Sequence, residues 1–171
     1  MEADLIVIRG LAIAATLIAG LAGCAGGARA TGSAPYPCDD GQWQSDQRAL
    51  AGGTLSGNQL VDICGPVTRV LAARRTRSGD HGYFFVRMPS GYQLEIVANL
   101  DAMAAAPAGA PPPDWPWVVT GDYVYVQGRY YYDSAARQGV DWTEDDVRRS
   151  WPHTGYVAVC NASGANCSKY W

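Results

Sequence analysis

A long alternating stretch, Tyr123-Val-Tyr-Val-Gln-Gly-Arg-Tyr-Tyr-Tyr132, carries the clearest structural pattern in the sequence. Val124, Val126 and Tyr130 share one side of an extended chain, and a period of two is typical of a strand with one buried face. Gly128 interrupts this apolar row, which suits a strand that bends sharply in a barrel. The stretch therefore predicts a long, curved strand.

Further strand patterns lie on both sides of this stretch. They occupy residues 61–71, 83–88 and 93–98 before it, and 140–143, 156–160 and 167–170 after it. Gly65-Pro66 predicts a bulge in the first of them, and residues 43–50 and 99–106 suit short helices. The order predicts an all-β fold: an OB-fold-like five-stranded barrel with a C-terminal β-hairpin and short helical material between strands 3 and 4. A β-sandwich is the alternative.

The N-terminal segment resembles a bacterial lipoprotein signal. Residues 11–22 form an apolar run that is shorter than the roughly 20 residues needed to span a bilayer. The residues Leu21-Ala22-Gly23-Cys24 then match the lipobox that lipoprotein signal peptidase reads. We predict cleavage before Cys24 and lipidation of its thiol. An uncleaved membrane helix over residues 5–22 is the alternative.

These features divide the chain into three parts. Residues 1–23 are the predicted signal peptide, 24–37 a flexible tether rich in Gly, Ala and Ser, and 38–171 a single OB-like β-barrel domain. We expect a lipid-anchored protein of the bacterial cell envelope, on the outer membrane facing the periplasm where the cell has two membranes. The membrane is then a predicted partner through the lipid anchor.

Four cysteines remain in the mature chain besides Cys24, and an even number in an oxidising compartment predicts two disulfides. Cys160 and Cys167 lie symmetrically about a Ser-Gly turn, so we pair them and leave Cys38 with Cys64. Free, buried thiols are the alternative. No Cys-x-x-Cys spacing supports a zinc site.

The charge balance argues against one class of partner. Without the signal peptide the chain holds 12 basic residues (13 minus Arg9) against 14 acidic ones (16 minus Glu2 and Asp4). Binding of nucleic acid needs a clearly cationic surface, so nucleic acid is not an expected partner.

Two local clusters depart from this balance. One is basic (Arg69, Arg74, Arg75 and Arg77) and the other is acidic (Glu144, Asp145 and Asp146). Solvated loops are the usual explanation, and contact with anionic lipid or polysaccharide is the alternative.

Several segments together resemble a bacterial envelope family of unknown function. They are His81-Gly-Tyr-Phe84, Asn99-Leu-Asp101, Gly121-Asp-Tyr-Val124 with Gly128-Arg-Tyr130, and Val140-Asp-Trp-Thr143, which carry the motifs H-x-x-F, N-x-D, G-D-x-V…G-x-Y and V-x-W-T. The resemblance covers roughly residues 60–171 and implies an OB-like barrel but no activity. The family tends to show His-Trp-Thr-His where this chain has Asp141-Trp-Thr-Glu144. If those histidines bind a metal ion in relatives, the carboxylates of Asp141 and Glu144 in this chain would favour a hard ion over zinc.

Aromatic and hydrogen-bonding side chains share the second face of the long strand, which we call the outward stripe. Its members are Tyr123, Tyr125, Gln127, Arg129 and Tyr131, and Trp142 from the next strand joins them as a binding candidate. Aromatic platforms bind bases or sugar rings by stacking. The alternative is that the stripe packs beneath the C-terminal hairpin, covered by Tyr170 and Trp171.

Candidates for catalysis are scattered along the chain: His81, Asp101, Asp141, Glu144 and His153. If they converged, they could hold a metal or act as acid and base. The alternative is that His81 caps a turn and His153 bonds a backbone carbonyl. The sequence contains no Gly-x-Ser-x-Gly or His-Glu-x-x-His motif, and we expect no metal and no cofactor.

The leading hypothesis is a non-enzymatic binding or interaction module that uses the barrel surface. Its ligand would be an envelope glycan, a peptide or another envelope protein. A metal-dependent, nuclease-like hydrolase on the OB barrel is the second hypothesis, with Asp101, Asp141, Glu144 and His81 as its metal or acid and base groups. An inhibitor of a lytic enzyme is the third, by analogy with other small disulfide-bonded envelope lipoproteins.

Overall fold

A computed structural model describes residues 34–104, 114–145 and 151–170, all within the unit Ser33–Trp171. The predicted signal peptide, the lipidation site Cys24 and nearly all of the tether lie outside the described residues. Those assignments stay predictions. In the described part of the chain, no helix is long and apolar enough to cross a membrane.

Strands make up most of the described secondary structure. In chain order the elements are α1 (Asp40–Ala51), β1 (Gln59–Thr76), β2 (Gly79–Arg87), β3 (Gln93–Asn99), α2 (Leu100–Ala104), β4 (Tyr123–Ser134), β5 (Arg137–Asp141), β6 (Tyr156–Cys160) and β7 (Ser168–Tyr170). The helix α1 begins earlier than predicted because Asp39 caps its N-terminus. The Asp39 carboxylate accepts a hydrogen bond from the backbone N–H of Gln42 at 2.8 Å.

Five strands close into a ring in the order β1-β2-β3-β5-β4, and β4 pairs back onto β1. The β3–β5 pair is parallel and the other pairs of the ring are antiparallel. Beyond the ring, β6 adds to β4 and forms a C-terminal hairpin with β7. The OB-like prediction is confirmed, including the short helix α2 after the third strand.

The strand β1 closes the ring because it serves two partners. Its first part, 59–66, pairs with β4, and its second part, from Val67 onward, pairs with β2. A Cβ atom at Gly65 would lie 2.0 Å from the carbonyl oxygen of Arg87. Only glycine therefore lets β1 pass this close to the end of β2.

The irregular positions of β1 differ from the predicted bulge at Gly65-Pro66. Register shifts against β2 fall between Val67 and Arg69 and between Leu71 and Arg74. The Gly-Pro pair instead marks the place where β1 changes partner. The bulge prediction was wrong in position because pairing partners cannot be read from one strand alone.

The core fills the inside of the ring. The predicted inward rows of β2 and β3 are buried, with Phe84, Val86, Leu94 and Ile96 at 0% exposure. Trp43 of α1 joins the same cluster and is also fully buried, so α1 packs onto the ring. Because side chains fill the interior of so small a ring, binding of a ligand has to use the outer surface.

Both predicted disulfides are present. Cys38 bonds to Cys64 and ties the segment before α1 to β1, whereas Cys160 bonds to Cys167 and closes the β6–β7 hairpin. Cross-links of this kind typically stabilise a small domain by about 2–4 kcal/mol each.

Candidate functional site

The outward stripe of β4 divides into a covered half and a hydrogen-bonded half. In the covered half, Tyr125 is 6% exposed, and its ring centroid lies 5.4 Å from that of Tyr123 and 5.8 Å from that of Tyr36. The disulfides flank these rings, since Cys64 lies opposite Tyr125 on β1 and Cys160 lies opposite Tyr123 on β6. Tyr125 therefore offers no free face on which a ligand could stack.

Tyr36 and the loop of the C-terminal hairpin together cover this half. The ring of Tyr36 packs onto Tyr125 and also onto Tyr156, with centroids 5.5 Å apart in the second contact. In the hairpin loop, a Cβ atom at Gly164 would lie 3.4 Å from the Tyr125 hydroxyl oxygen and 3.5 Å from the Tyr123 ring. Tyr170 packs on the core side instead, where its ring centroid lies 4.6 Å from that of Trp117. The hairpin therefore covers this half as the alternative predicted, but through its loop, so the cover by Tyr170 is wrong, and Trp171 lies outside the described residues.

Tyr156 lies beneath Tyr36 with a buried hydroxyl group. The residue is 5% exposed, and its oxygen has no hydrogen-bond partner in the described part of the chain. Burial raises the pKa of Tyr156 to about 12, with further contributions from Asp62 and Tyr36. The ammonium nitrogen of Lys169 lies 4.2 Å from the ring centroid. Tyr156 is therefore a neutral, packed side chain at physiological pH.

The second half of the stripe forms hydrogen bonds across the strands. The amide nitrogen of Gln127 donates to Asp62 at 2.8 Å, and the hydroxyl of Tyr131 donates to Glu95 at 2.9 Å. Burial raises the pKa of Tyr131, and the Glu95 carboxylate raises it further. These polar groups satisfy one another within the outer face, so they do not form an open row of donors.

Arg129 and Asp141 form a bidentate ion pair at the end of β5. The Nε–Oδ1 and Nη2–Oδ2 distances are 2.7 and 2.5 Å, and the two side chains are 25% and 23% exposed. The hydrogen bonds to Asp141 raise the pKa of Arg129; burial opposes this, and the charges of Asp141 and Glu144 add to it. Gly128 permits the close approach of β5, because a Cβ atom there would lie 2.6 Å from the Asp141 carbonyl oxygen.

Aromatic side chains gather around this ion pair in what we call the Trp142 cluster, made of Arg129, Asp141, Trp142, Trp151 and His153. The guanidinium carbon of Arg129 lies 5.2 Å from the Trp142 ring centroid. The Trp142 and Trp151 centroids are 6.4 Å apart, and His153 meets Trp151 edge-on at 5.0 Å. Trp142 is partly exposed and Trp151 is buried, so the indole of Trp142 is the aromatic surface that the cluster presents.

The backbone of Trp142 has a left-handed conformation, with φ at 53°. This conformation costs a residue other than glycine roughly 1–2 kcal/mol. Fully buried Thr143 fixes the next position through its hydroxyl, which donates to the Val97 carbonyl at 3.1 Å. Gly155 packs against the other side, where a Cβ atom would lie 2.1 Å from the Trp142 carbonyl oxygen. The surroundings therefore hold the strained residue in place.

The five candidates for catalysis belong to two separate groups of contacts. His81 is 8% exposed, and its Nδ1 lies 2.9 Å from the Gly79 carbonyl oxygen and 3.2 Å from the Thr76 hydroxyl. Asp101 accepts a hydrogen bond from the backbone N–H of Asp80 at 3.1 Å. Both side chains thus support the β1–β2 turn, as the structural alternative for His81 predicted.

The remaining candidates, Asp141, Glu144 and His153, lie in or beside the Trp142 cluster. Glu144 is 8% exposed and its carbonyl oxygen accepts from the Gly155 N–H at 3.0 Å. His153 is exposed and contacts Trp151 rather than the backbone carbonyl that we predicted. Among the described residues, no three His, Cys, Asp or Glu side chains are placed to hold a metal ion.

The sequence carries no signal for two residues of this site, Asn58 beside the Trp142 cluster and Trp151 within it. Asn58, just before β1, places its side-chain oxygen 3.5 Å from Nη1 of Arg129, and Trp151 forms the buried back of the cluster. Neither belongs to an alternating stretch, so only the fold brings them to Trp142. A scan against protein-family models and a search of curated proteins gave no match.

The Arg129–Asp141 pair should contribute more to stability than an exposed pair does. In a double-mutant cycle with Arg129→Gln and Asp141→Asn, we expect a coupling of about 1–2 kcal/mol, because both partners are three-quarters buried and bidentate. Urea unfolding at neutral pH measures it. The matched control is Arg137–Asp133, with a distance of 3.5 Å and side chains 80% and 58% exposed, which should couple by less than about 0.5 kcal/mol. Equal coupling energies in the two pairs would contradict the greater contribution expected of Arg129–Asp141.

Tyr156 should contribute to the loss of stability at alkaline pH. Its pKa is about 12 in the folded chain and near 10 when unfolded. The neutral form is therefore favoured by folding, and this contribution is complete below pH 10 and lost as the pH rises to 12. Tyr156→Phe should lose less free energy of unfolding across that window than the wild type. Tyr92→Phe, at an exposed position, is the control; identical pH profiles for Tyr156→Phe and wild type would refute the prediction.

Proposed function

We propose that this chain is an envelope lipoprotein whose OB-like domain binds a glycan at the Trp142 cluster. The observation that carries the proposal is the backbone of Trp142, held in a left-handed conformation with its indole partly exposed beside the Arg129–Asp141 ion pair. Residues kept in such conformations cluster at sites of function, where the surrounding structure compensates the strain.

The geometry suits a sugar ring. The flat indole of Trp142 offers an apolar surface, while Arg129 behind it and Asn58 beside it supply hydrogen-bonding groups within 3.5 Å of each other. Sites for small ligands commonly combine one aromatic surface with a few placed polar groups. A sugar has an apolar ring face and a rim of hydroxyl groups, which matches that combination.

The local charge favours a neutral sugar or an amino sugar. Among the described residues, the carboxylates of Asp141, Glu144 and Asp145 lie beside the Arg129 guanidinium, whose charge the Asp141 carboxylate already shares. A ligand that carries phosphates, such as nucleic acid, would gain no unpaired cation from these side chains, whereas an uncharged or amino-containing envelope glycan needs none.

The cysteine pattern supports export and anchoring. Four of the five cysteines form the two disulfides, which persist in oxidising compartments. The remaining cysteine is Cys24, the one within the lipobox, and its lipid would hold the domain at the membrane.

Binding can be tested by calorimetry with the full chain in detergent, using a chito-oligosaccharide and, in a sedimentation assay, isolated cell-wall sacculi. Trp142→Asn removes the indole but keeps a residue that tolerates the left-handed conformation. We expect this variant to lose about tenfold or more in affinity. Tyr92→Asn, which removes an exposed aromatic ring elsewhere, should bind as the wild type does. Unchanged binding by Trp142→Asn, or no binding by the wild type, would refute the proposal that the Trp142 cluster binds a glycan.

Anchoring is tested separately with Cys24→Ser. We expect the wild type to incorporate labelled palmitate and to fractionate with the membrane, because the lipid sits on the Cys24 thiol. The serine variant should incorporate no label. Cys38→Ser and Cys64→Ser together provide the control for loss of other sulfhydryl groups, and this double variant should keep the label. An unlabelled wild-type chain would contradict the proposed anchor.

A further inference from the structure

The outer surface of the β1–β2 hairpin carries a concentration of arginines that the Trp142 cluster does not use. We call it the arginine face: Arg69, Arg74, Arg75, Arg77 and Arg87, all exposed. These five belong to a chain with 13 basic residues and a net charge of −3, so the charge is local. Of the five, only Arg75 forms an ion pair within the described residues, with Asp80 at 3.0 Å.

The strand register sets three of these arginines on one face. Arg69 is paired opposite Phe85 and Arg74 opposite His81, and directly paired residues point to the same side of a sheet. Tyr83, Phe85 and Arg87 alternate outward along β2, opposite to the buried Phe84 and Val86, and His81 lies on their side of the strand although it is only 8% exposed. At about 3.4 Å per residue, Arg87, Arg69 and Arg74 span roughly 20 Å along β2.

Aromatic rings orient two of the guanidinium groups. The Arg69 guanidinium carbon lies 4.0 Å from the Phe85 ring centroid, and that of Arg74 lies 5.6 Å from the Tyr83 centroid. Such contacts leave the edge of the guanidinium free to bind carboxylate or phosphate oxygens.

Among the described residues of β2 and β3, Glu95 is the carboxylate that shares this side, since it is paired opposite Phe85, and it accepts a hydrogen bond from the Tyr131 hydroxyl. Asp80 is paired opposite Arg75 on the other side of the hairpin, and its backbone N–H donates to Asp101. Arg69, Arg74 and Arg87 against one engaged carboxylate leave this side positive. A line of fixed cations along a strand complements a polymer with regularly spaced anions better than it complements a single ion.

We infer that the arginine face binds a linear anionic polysaccharide, laid along β2. An anionic bilayer is the less suitable partner, because the exposed residues between Ala72 and Ser78 include no large apolar side chain that could enter it. This site is independent of the Trp142 cluster, whose Arg129 is already paired with Asp141.

The experiment measures binding of the full chain in detergent to oligogalacturonate, which carries one carboxylate on each sugar, by calorimetry at low salt. The double variant Arg69→Gln and Arg74→Gln should bind about tenfold more weakly. The double variant Arg69→Lys and Arg74→Lys should lose about threefold, since lysine keeps the charge but not the oriented planar group. The control double variant, Arg48→Gln and Arg137→Gln, should bind as the wild type does.

Three further measurements decide the inference. Methyl-esterified oligogalacturonate should not bind, and raising the salt concentration should weaken binding of the charged form, because the contact is electrostatic. Trp142→Asn should leave the affinity for oligogalacturonate unchanged, which separates the arginine face from the Trp142 cluster. Wild-type affinity in the glutamine variant would overturn the inference. So would binding to phosphatidylglycerol vesicles without binding to oligogalacturonate.

Discussion

The close passage of β1 across the end of β2 is the constraint on which the rest of the structure depends. One strand has to pair with β4 over its first part and with β2 over its second, and Gly65 permits this because it has no side chain to meet the Arg87 carbonyl. Once β1 is shared, five strands close on themselves and their inward rows fill the interior. Because side chains of the described residues fill a ring of this size, recognition belongs to its outer faces.

Those outer faces differ in their chemistry. In the described part of the β4–β5 side, the Arg129–Asp141 ion pair lies beside a strained tryptophan; on the β1–β2 side, arginines outnumber carboxylates and lie over aromatic rings. Between them, the first half of the outward stripe is closed by Tyr36 and two disulfides. The domain thus presents two chemically distinct surfaces separated by a structural one, and the small net charge of the whole chain conceals both.

The sequence predicted the fold better than it predicted the site. Phe84 and Val86 in β2, and Leu94 and Ile96 in β3, occupy every second position of their strands. This pattern can be read from the local sequence, and each of these side chains is buried as expected. The site depends on contacts between distant segments. The cover over Tyr125 arrives with Tyr36, which the Cys38–Cys64 bond brings from another part of the chain, and the pairing of Arg69 with Phe85 follows from a register shift between Leu71 and Arg74 that no single strand reveals. The left-handed backbone at Trp142 also has no local cause, since tryptophan does not favour it.

The hairpin that extends the sheet beyond the ring ends in β7, which has only three residues and carries exposed Lys169. A sheet edge is a template on which a second chain can add a strand, and short, charged edges make poor templates. The ring itself has closed its other edge by pairing β1 with β4. Molecules at high concentration would therefore have little opportunity to polymerise through their backbones, so a dense population could form without fibrous aggregation.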